Sequence, residues 1–198
     1  MNRQAEQAAR TAFTIEAEAI RDTASVMDYA AFGKAVDALN AAVRIGTSGC
    51  GHTGICCQHF AHLLCCVEKP ARFISPAEAL HGGMGFIQKD DVLLLASRGG
   101  KTPELIPIME IAHKKSAMVI TVTENLDSLL AKGADIVLPV KVRKETDKYN
   151  SQGTSSFVAV SAVFDALQAA LVEEMGYRNE QFALIHPGGA VGDRLNRK

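Results

Sequence analysis

Three short runs leave this chain little choice of fold. Asp91-Val92-Leu93-Leu94-Leu95-Ala96, Ala117-Met118-Val119-Ile120-Thr121-Val122 and Asp135-Ile136-Val137-Leu138-Pro139-Val140 are apolar at nearly every position. A strand with one wet face alternates apolar and polar residues. A strand apolar on both faces must be covered on both, which is the situation of a parallel sheet between helices. The stretches between the runs supply those helices. Pro103 suits the first turn of one reaching about Lys115, and 127–132 is a short helix stopped by Gly133.

Two further strands are expected upstream, at 41–45 and, more weakly, at Arg72-Phe73-Ile74, with a helix over 53–67 between them. Before them, residues 3–26 are rich in Ala, Glu, Gln and Arg, with Phe13, Ile20 and Met27 seven apart, and Asp28 caps a second helix over 29–40. A polar loop at 141–153 leads to a long helix, 154–175, that closes the core. The expected fold is α/β: a doubly wound three-layer sandwich around a mainly parallel five-stranded sheet. It forms a single domain over 1–198, with N-terminal helices at 1–40 and the α/β core and C-terminal helices at 41–198.

Composition narrows the function. The 198 residues suit one such domain, and 21 basic against 22 acidic residues give a net charge of −1. That balance leaves no broad basic footprint for nucleic acid or an anionic membrane. No uninterrupted apolar run reaches the ~18 residues of a bilayer span, and the acidic N-terminus lacks the apolar core of a signal peptide. Five cysteines, including the adjacent pairs Cys56-Cys57 and Cys65-Cys66, suit no small disulfide scaffold. Even with His52, His59 and His62 nearby they lack zinc spacing, so they read as free, small hydrophobes. The expectation is a cytoplasmic protein with no metal, no cofactor and neither nucleic acid nor membrane as partner.

In an open parallel sheet, ligands sit beyond the carboxyl ends of the strands. Two loops there have a composition suited to an anion. Gly46-Thr47-Ser48-Gly49-Cys50-Gly51-His52-Thr53-Gly54 offers backbone amides and a helix N-terminus, with Ser48, Gly49 and Cys50 as candidate contacts. Ser97-Arg98-Gly99-Gly100-Lys101-Thr102 adds hydroxyls and cations, with Ser97, Gly99, Gly100 and Thr102 as candidates. Neither has the dinucleotide spacing G-x-G-x-x-G nor that of a P-loop, and either could be an ordinary tight turn. For proton chemistry, His186 in His186-Pro187-Gly188-Gly189, His81 in His81-Gly82-Gly83 and Glu145 in Lys144-Glu145-Thr146 stand in loops. Any one of them alone would pass for solvated surface.

Taken together and in order, these pieces resemble the sugar isomerase (SIS) domain. The resemblance is carried by 46–54, by Ala79-Leu80-His81-Gly82-Gly83-Met84-Gly85, by 97–104, by Val142-Arg143-Lys144-Glu145 and by His186-Pro187-Gly188-Gly189-Ala190-Val191-Gly192. It points to the branch like arabinose-5-phosphate isomerase, whose members commonly carry a pair of CBS domains after the SIS domain; none is expected here. The resemblance implies an aldose–ketose phosphate isomerase working through a cis-enediol on a small sugar phosphate without a cofactor. It also implies a homodimer or homotetramer with sites near subunit interfaces.

Carried over, His81, Glu104, Glu145 and His186 match the family's functional histidines and glutamates, and Ser97 and Thr102 its phosphate-loop hydroxyls. Glu145 is the expected proton shuttle, for which a raised pKa would suit it. Departures lie at Gly49 (a lysine in the branch), Cys50 and Gly99 (serines) and Gly83 (an aspartate). Ser48, Arg98 and Lys101 are the candidates to compensate. The alternative is a non-catalytic sugar-phosphate-binding regulatory module on the same fold.

Overall fold

A computed structural model describes residues 1–196. Arg197 and Lys198, the last two residues of the domain expected over 1–198, lie outside the described residues. Strands β1 (Ile45–Gly49), β2 (Ala71–Phe73), β3 (Val92–Ala96), β4 (Met118–Thr123) and β5 (Ile136–Pro139) form one sheet in the order β2-β1-β3-β4-β5. Every neighbouring pair is parallel, so the expected doubly wound sheet is parallel throughout rather than mainly so.

The apolar runs divide their side chains between two cores, as a period of two requires. Val92, Leu94 and Ala96 of β3 join one core, and Leu93 and Leu95 the other. The first core lies under α1 (Arg3–Val26), α2 (Tyr29–Ala41), α3 (Gly51–Cys66) and α7 (Ser155–Met175). There Phe60 of α3 stacks on Phe164 of α7 with ring centroids 4.4 Å apart, and neither ring is exposed. Truncating such a ring to alanine costs about 3–5 kcal/mol. The second core lies under α5 (Leu105–Lys114), α6 (Leu129–Gly133) and a short 3-10 helix, Gly83–Phe86, beside α4 (Pro76–Ala79).

Two sequence expectations shift. The first strand is not at 41–45 but four residues later, inside the glycine run itself, and Ala41 ends α2. All five of its residues are buried, and a Cβ at Gly46 would meet the side chains of Ile87 and Ile74 at 2.7 and 2.9 Å. Glycine serves here to let the covering layer approach, not to turn the chain. In addition, α7 is long and apolar enough by length and composition to cross a membrane. It carries Asp165, Glu173 and Glu174, and Val160, Val163, Phe164, Leu167 and Leu171 are buried in the first core.

α1 also fastens the loop that leaves β5. The Thr23 hydroxyl accepts from the Lys141 N–H (3.1 Å), and Arg143 forks onto Asp22 through Nε and Nη2. Past α7, Gly176 adopts the left-handed conformation that ends the helix, and α8 (Asn179–Ile185) and α9 (Gly189–Asn196) follow.

Candidate functional site

The strand order reverses at β1 and β3: the chain leaves β1 toward β2 on one side and β3 toward β4 on the other. The loops at their carboxyl ends therefore part, and a cleft of about 390 Å³ opens between them. Gly49, Cys50 and Gly51 line one wall and Glu104 the other, with Ser75 and Gln58 beside them. The first wall depends on a close approach of α3 to the end of β1. A Cβ at Gly54 would stand 2.6 Å from the Gly49 carbonyl oxygen, so only glycine fits without a backbone shift.

Cys50 is the residue before α3, and its side chain makes no capping hydrogen bond. The amides of the first turn are therefore not used up by a cap. Burial, and then the nearby Glu104 carboxylate, push the Cys50 thiol up, so it stays protonated and neutral at physiological pH. Glu104 itself is exposed at the start of α5.

The second loop is internally ordered. Ser97 and Thr102 share a hydrogen bond of 2.8 Å between their hydroxyls, and the Gly100 N–H donates to Ser97 Oγ at 3.1 Å. Gly100 has φ +63°, and a Cβ there would overlap the Ser128 side chain. Gly99, one residue earlier, is exposed, and a Cβ would meet nothing within 4 Å. Lys101 is exposed and has no ion pair among the described residues.

Glu145 is only 4 % exposed and lies beside this loop rather than in the lining of the cleft. Its Oε1 accepts from Arg98 Nη1 at 2.6 Å, and its Oε2 from the Ser156 N–H at 3.1 Å and the Thr154 hydroxyl at 3.3 Å. Its own N–H donates to Asn150 Oδ1. Burial alone would raise its pKa, but the Ser156 hydrogen bonds, the Arg98 guanidinium and the Thr154 hydroxyl together outweigh burial and hold the carboxyl below its ordinary value of 4.5. The expected raised pKa is corrected: Glu145 is a firmly ionised carboxylate.

Three other sequence expectations are also revised by the geometry. Ser48 has no exposed surface, and its hydroxyl donates to the Ile74 carbonyl at 2.7 Å, so it is occupied within the sheet. Arg98, a candidate to replace a missing cation, is already committed: Nε to Glu124 (2.7 Å), Nη1 to Glu145 and Nη2 to the Val142 carbonyl (2.9 Å). His186 ends α8, which packs at the far end of α3, where Gln181 reaches Glu68 and Phe182 lines a cavity with Cys66 and Val67. The length of α3, 16 residues or about 24 Å, separates that region from the cleft. The loops of one chain thus bring Gly49, Cys50 and Glu104 together, join Ser97 to Thr102, and tie Glu145 to that second loop through Arg98, but leave His186 apart. His81 is exposed, two residues beyond α4, whose first residues line the cleft.

Sequence reasoning missed Glu124, which receives Arg98 Nε and the Val142 N–H. Its signal was position: it directly follows β4, as Ser97 follows β3. Ser75 was also missed, although Ser75-Pro76 is the start of a helix and therefore of a wall. Cys56 and Cys57 are buried, in keeping with their reading as small hydrophobes, and all five cysteines are free.

The chain and its fold are similar to known proteins. The arabinose 5-phosphate isomerase KdsD of Pseudomonas aeruginosa is 39% identical over 153 residues, 77% of this chain and 46% of its own length. The chain therefore spans about half the length of the curated relatives it matches. A solved structure from Listeria monocytogenes, described as a candidate sugar-phosphate isomerase, is 40% identical with a TM-score of 0.91, over 95% of this chain and 100% of that one. A protein of E. coli CFT073 in complex with A5P is 26% identical with a TM-score of 0.84, over 94% of this chain and 100% of that one. The SIS domain family matches residues 38–170, and this chain belongs to it.

Proposed function

We propose that this protein is a phosphosugar isomerase, interconverting an aldose phosphate and a ketose phosphate of the arabinose 5-phosphate/ribulose 5-phosphate kind through a cis-enediol. The observation that carries the reading is Glu145: a buried, ionised carboxylate beside a hydroxyl-rich loop, at the carboxyl edge of a sheet with a cleft at its switch point. The names of the relatives support the same chemistry.

The substrate phosphate rests on Thr102, Ser97, the amide of Gly99, and Lys101, which has no ion pair among the described residues. That remote anchorage holds the reacting carbons still. Glu145 takes the proton from the carbon next to the carbonyl. The C–H electrons form the enediolate, and a proton that can exchange with water while it sits on Glu145 is delivered to the neighbouring carbon. The hydroxyl proton passes from one oxygen to the other, so the two carbons exchange oxidation level and nothing is oxidised or reduced overall. Proton transfer of this kind contributes roughly 10²–10⁴-fold. Glu104 orients hydroxyls in the cleft, and His81 polarises the carbonyl.

His186 serves ring opening in the cleft of a second copy of the chain, as a homodimer or homotetramer would allow. Its Nδ1 is buried with no hydrogen-bond partner among the described residues, and the nearby Leu184, Ile185 and Val191 are exposed apolar residues, as an unpaired subunit surface would be. Five free cysteines support a reducing, cytoplasmic setting. The second reading, a sugar-phosphate-binding module without catalysis, draws on Gly49 and on the tight pairing of Glu145 with Arg98.

Incubation with a panel of four- to seven-carbon aldose and ketose phosphates in heavy water separates the two. Deuterium entering the carbon next to the carbonyl of one sugar, followed by NMR, is the expected result. A thermal shift with a panel member and no exchange would replace the isomerase by the binding module.

A further inference from the structure

Arg98 is the one residue that touches Glu145 and also belongs to the loop proposed to hold the phosphate. A guanidinium carries five N–H donors in a fixed plane. Three are spent: on Glu124 Oε2, on Glu145 Oε1 and on the Val142 carbonyl. The Glu124 carboxylate is itself fixed by the Val142 N–H at 2.9 Å, so the three loops that follow β3, β4 and β5 are tied at one point. Arg98 remains about one-third exposed while Glu145 is almost wholly covered. The guanidinium paired with Glu145 is thus partly open to solvent.

We infer that Arg98 is a positioning residue of the proposed isomerase: it fixes the orientation of the Glu145 carboxylate and keeps it ionised between turnovers, with Glu124 as the buttress that holds the guanidinium in plane. The inference rests on the reading of Glu145 as the proton-transfer group. The groups facing Glu145 are few. Arg98 approaches from the loop after β3, with Glu124 behind it from the loop after β4. Thr154 and Ser156 approach from the start of α7, and Lys144 and Asn150 belong to its own loop. The hydroxyl and amide partners cannot change charge in the physiological range, and Lys144 makes no ion pair with it. Arg98 is therefore the charged partner that, alongside the Ser156 and Thr154 hydrogen bonds, holds the Glu145 carboxylate in place and ionised, and it gains or loses no proton during the reaction.

The test measures Glu145 directly as well as through activity. Carbon-13 NMR of glutamate side-chain carboxyls, assigned by the signal lost in Glu145→Gln, follows the titration of Glu145 in the full chain and in Arg98→Gln, Arg98→Lys and Glu124→Gln. Arg98→Gln is expected to move the Glu145 titration upward in pH. It should lower kcat on the order of 10²-fold, the effect of a misplaced reacting group, while KM changes little. Arg98→Lys is expected to restore most of the titration shift but less of kcat, because one ammonium cannot hold two carboxylates and a carbonyl in a plane.

An unmoved Glu145 titration in folded Arg98→Gln would overturn the inference, as would a rise in KM alone with kcat unchanged, which would make Arg98 a phosphate contact. Should Arg98→Gln not fold, Arg98→Lys and Glu124→Gln carry the same comparison. Absence of isomerisation in the unsubstituted protein would end the isomerase reading, whereas the NMR arm would still decide whether Arg98 governs Glu145.

Discussion

The two glycine-rich turns at the carboxyl edge of the sheet look alike in sequence and are built on opposite principles. In the first, glycine mostly serves packing, with Gly51 alone turning the chain at φ +55° in open space. Gly46 admits Ile74 and Ile87, and Gly54 lets α3 close on the Gly49 carbonyl. In the second, the two glycines divide the work: Gly100 is buried and bends with φ +63° under Ser128, and Gly99 stands open to solvent. The arabinose-5-phosphate-like branch that the sequence resembles has a lysine where Gly49 stands and a serine where Gly99 stands. The two departures are therefore not equivalent, for one is enclosed by packing and the other is free.

The two turns can be broken most forcefully at Gly54 and at Arg98, with costs of similar size. Gly54→Ala is expected to lose about 1–3 kcal/mol, the cost of overpacking against a backbone oxygen that cannot retreat, read from urea unfolding. Unchanged stability would mean that α3 does not need its close approach. Removing Arg98 is expected to cost about 2–3 kcal/mol, less than the ~3–5 of a fully buried pair, because the guanidinium is one-third exposed. Gly49→Lys follows at about 1–2 kcal/mol. Its Cβ would lie 3.1 Å from the Ala96 carbonyl oxygen, Cys57 Sγ and a backbone carbon of Thr53, of which only the sulfur can give way. Gly99→Ser is expected to leave stability within about 0.5 kcal/mol and to tighten phosphate binding, measured by calorimetry with inorganic phosphate. Equal costs at Gly49 and Gly99 would dissolve the distinction between the turns.

The pH dependence sharpens the second turn. The folded-state pKa of Glu145 is depressed, so its pairing stabilises the fold above the unfolded value, taken as 4.5. That stabilisation is lost as the pH falls below 4.5 through the lower folded value. Thermal unfolding followed downward from neutral pH is expected to show this loss in the native chain and a smaller one in Glu145→Gln.

How much of this was legible depended on how local the cause was. β3, β4 and β5 announce themselves because nearly every residue in them is apolar and most are buried, and a single run contains the whole signal. β1 does not, because Gly46, Thr47, Ser48 and Gly49 have loop composition, and only the packing of Ile74, Ile87 and α3 makes them a strand. Glu145 could be picked out by its motif, but its charge state could not: Arg98 is 47 positions away, and no local pattern signals the ion pair. His186 shows the same limit. Its His-Pro-Gly-Gly turn is conspicuous, yet the end of the molecule it occupies is set by Gln181 on Glu68, a tertiary contact across 113 positions.

The central claim is that the ionised carboxylate of Glu145 moves the substrate proton. The most direct measurement is the rate of deuterium entry from heavy water into arabinose 5-phosphate, or whichever panel sugar exchanges, catalysed by the native chain and by Glu145→Gln at equal folded concentration. The expected result is exchange by the native chain and a loss on the order of 10²–10⁴-fold in the variant, with the sugar phosphate still bound. Near-equal exchange by the two proteins would contradict it and assign the proton transfer to another group.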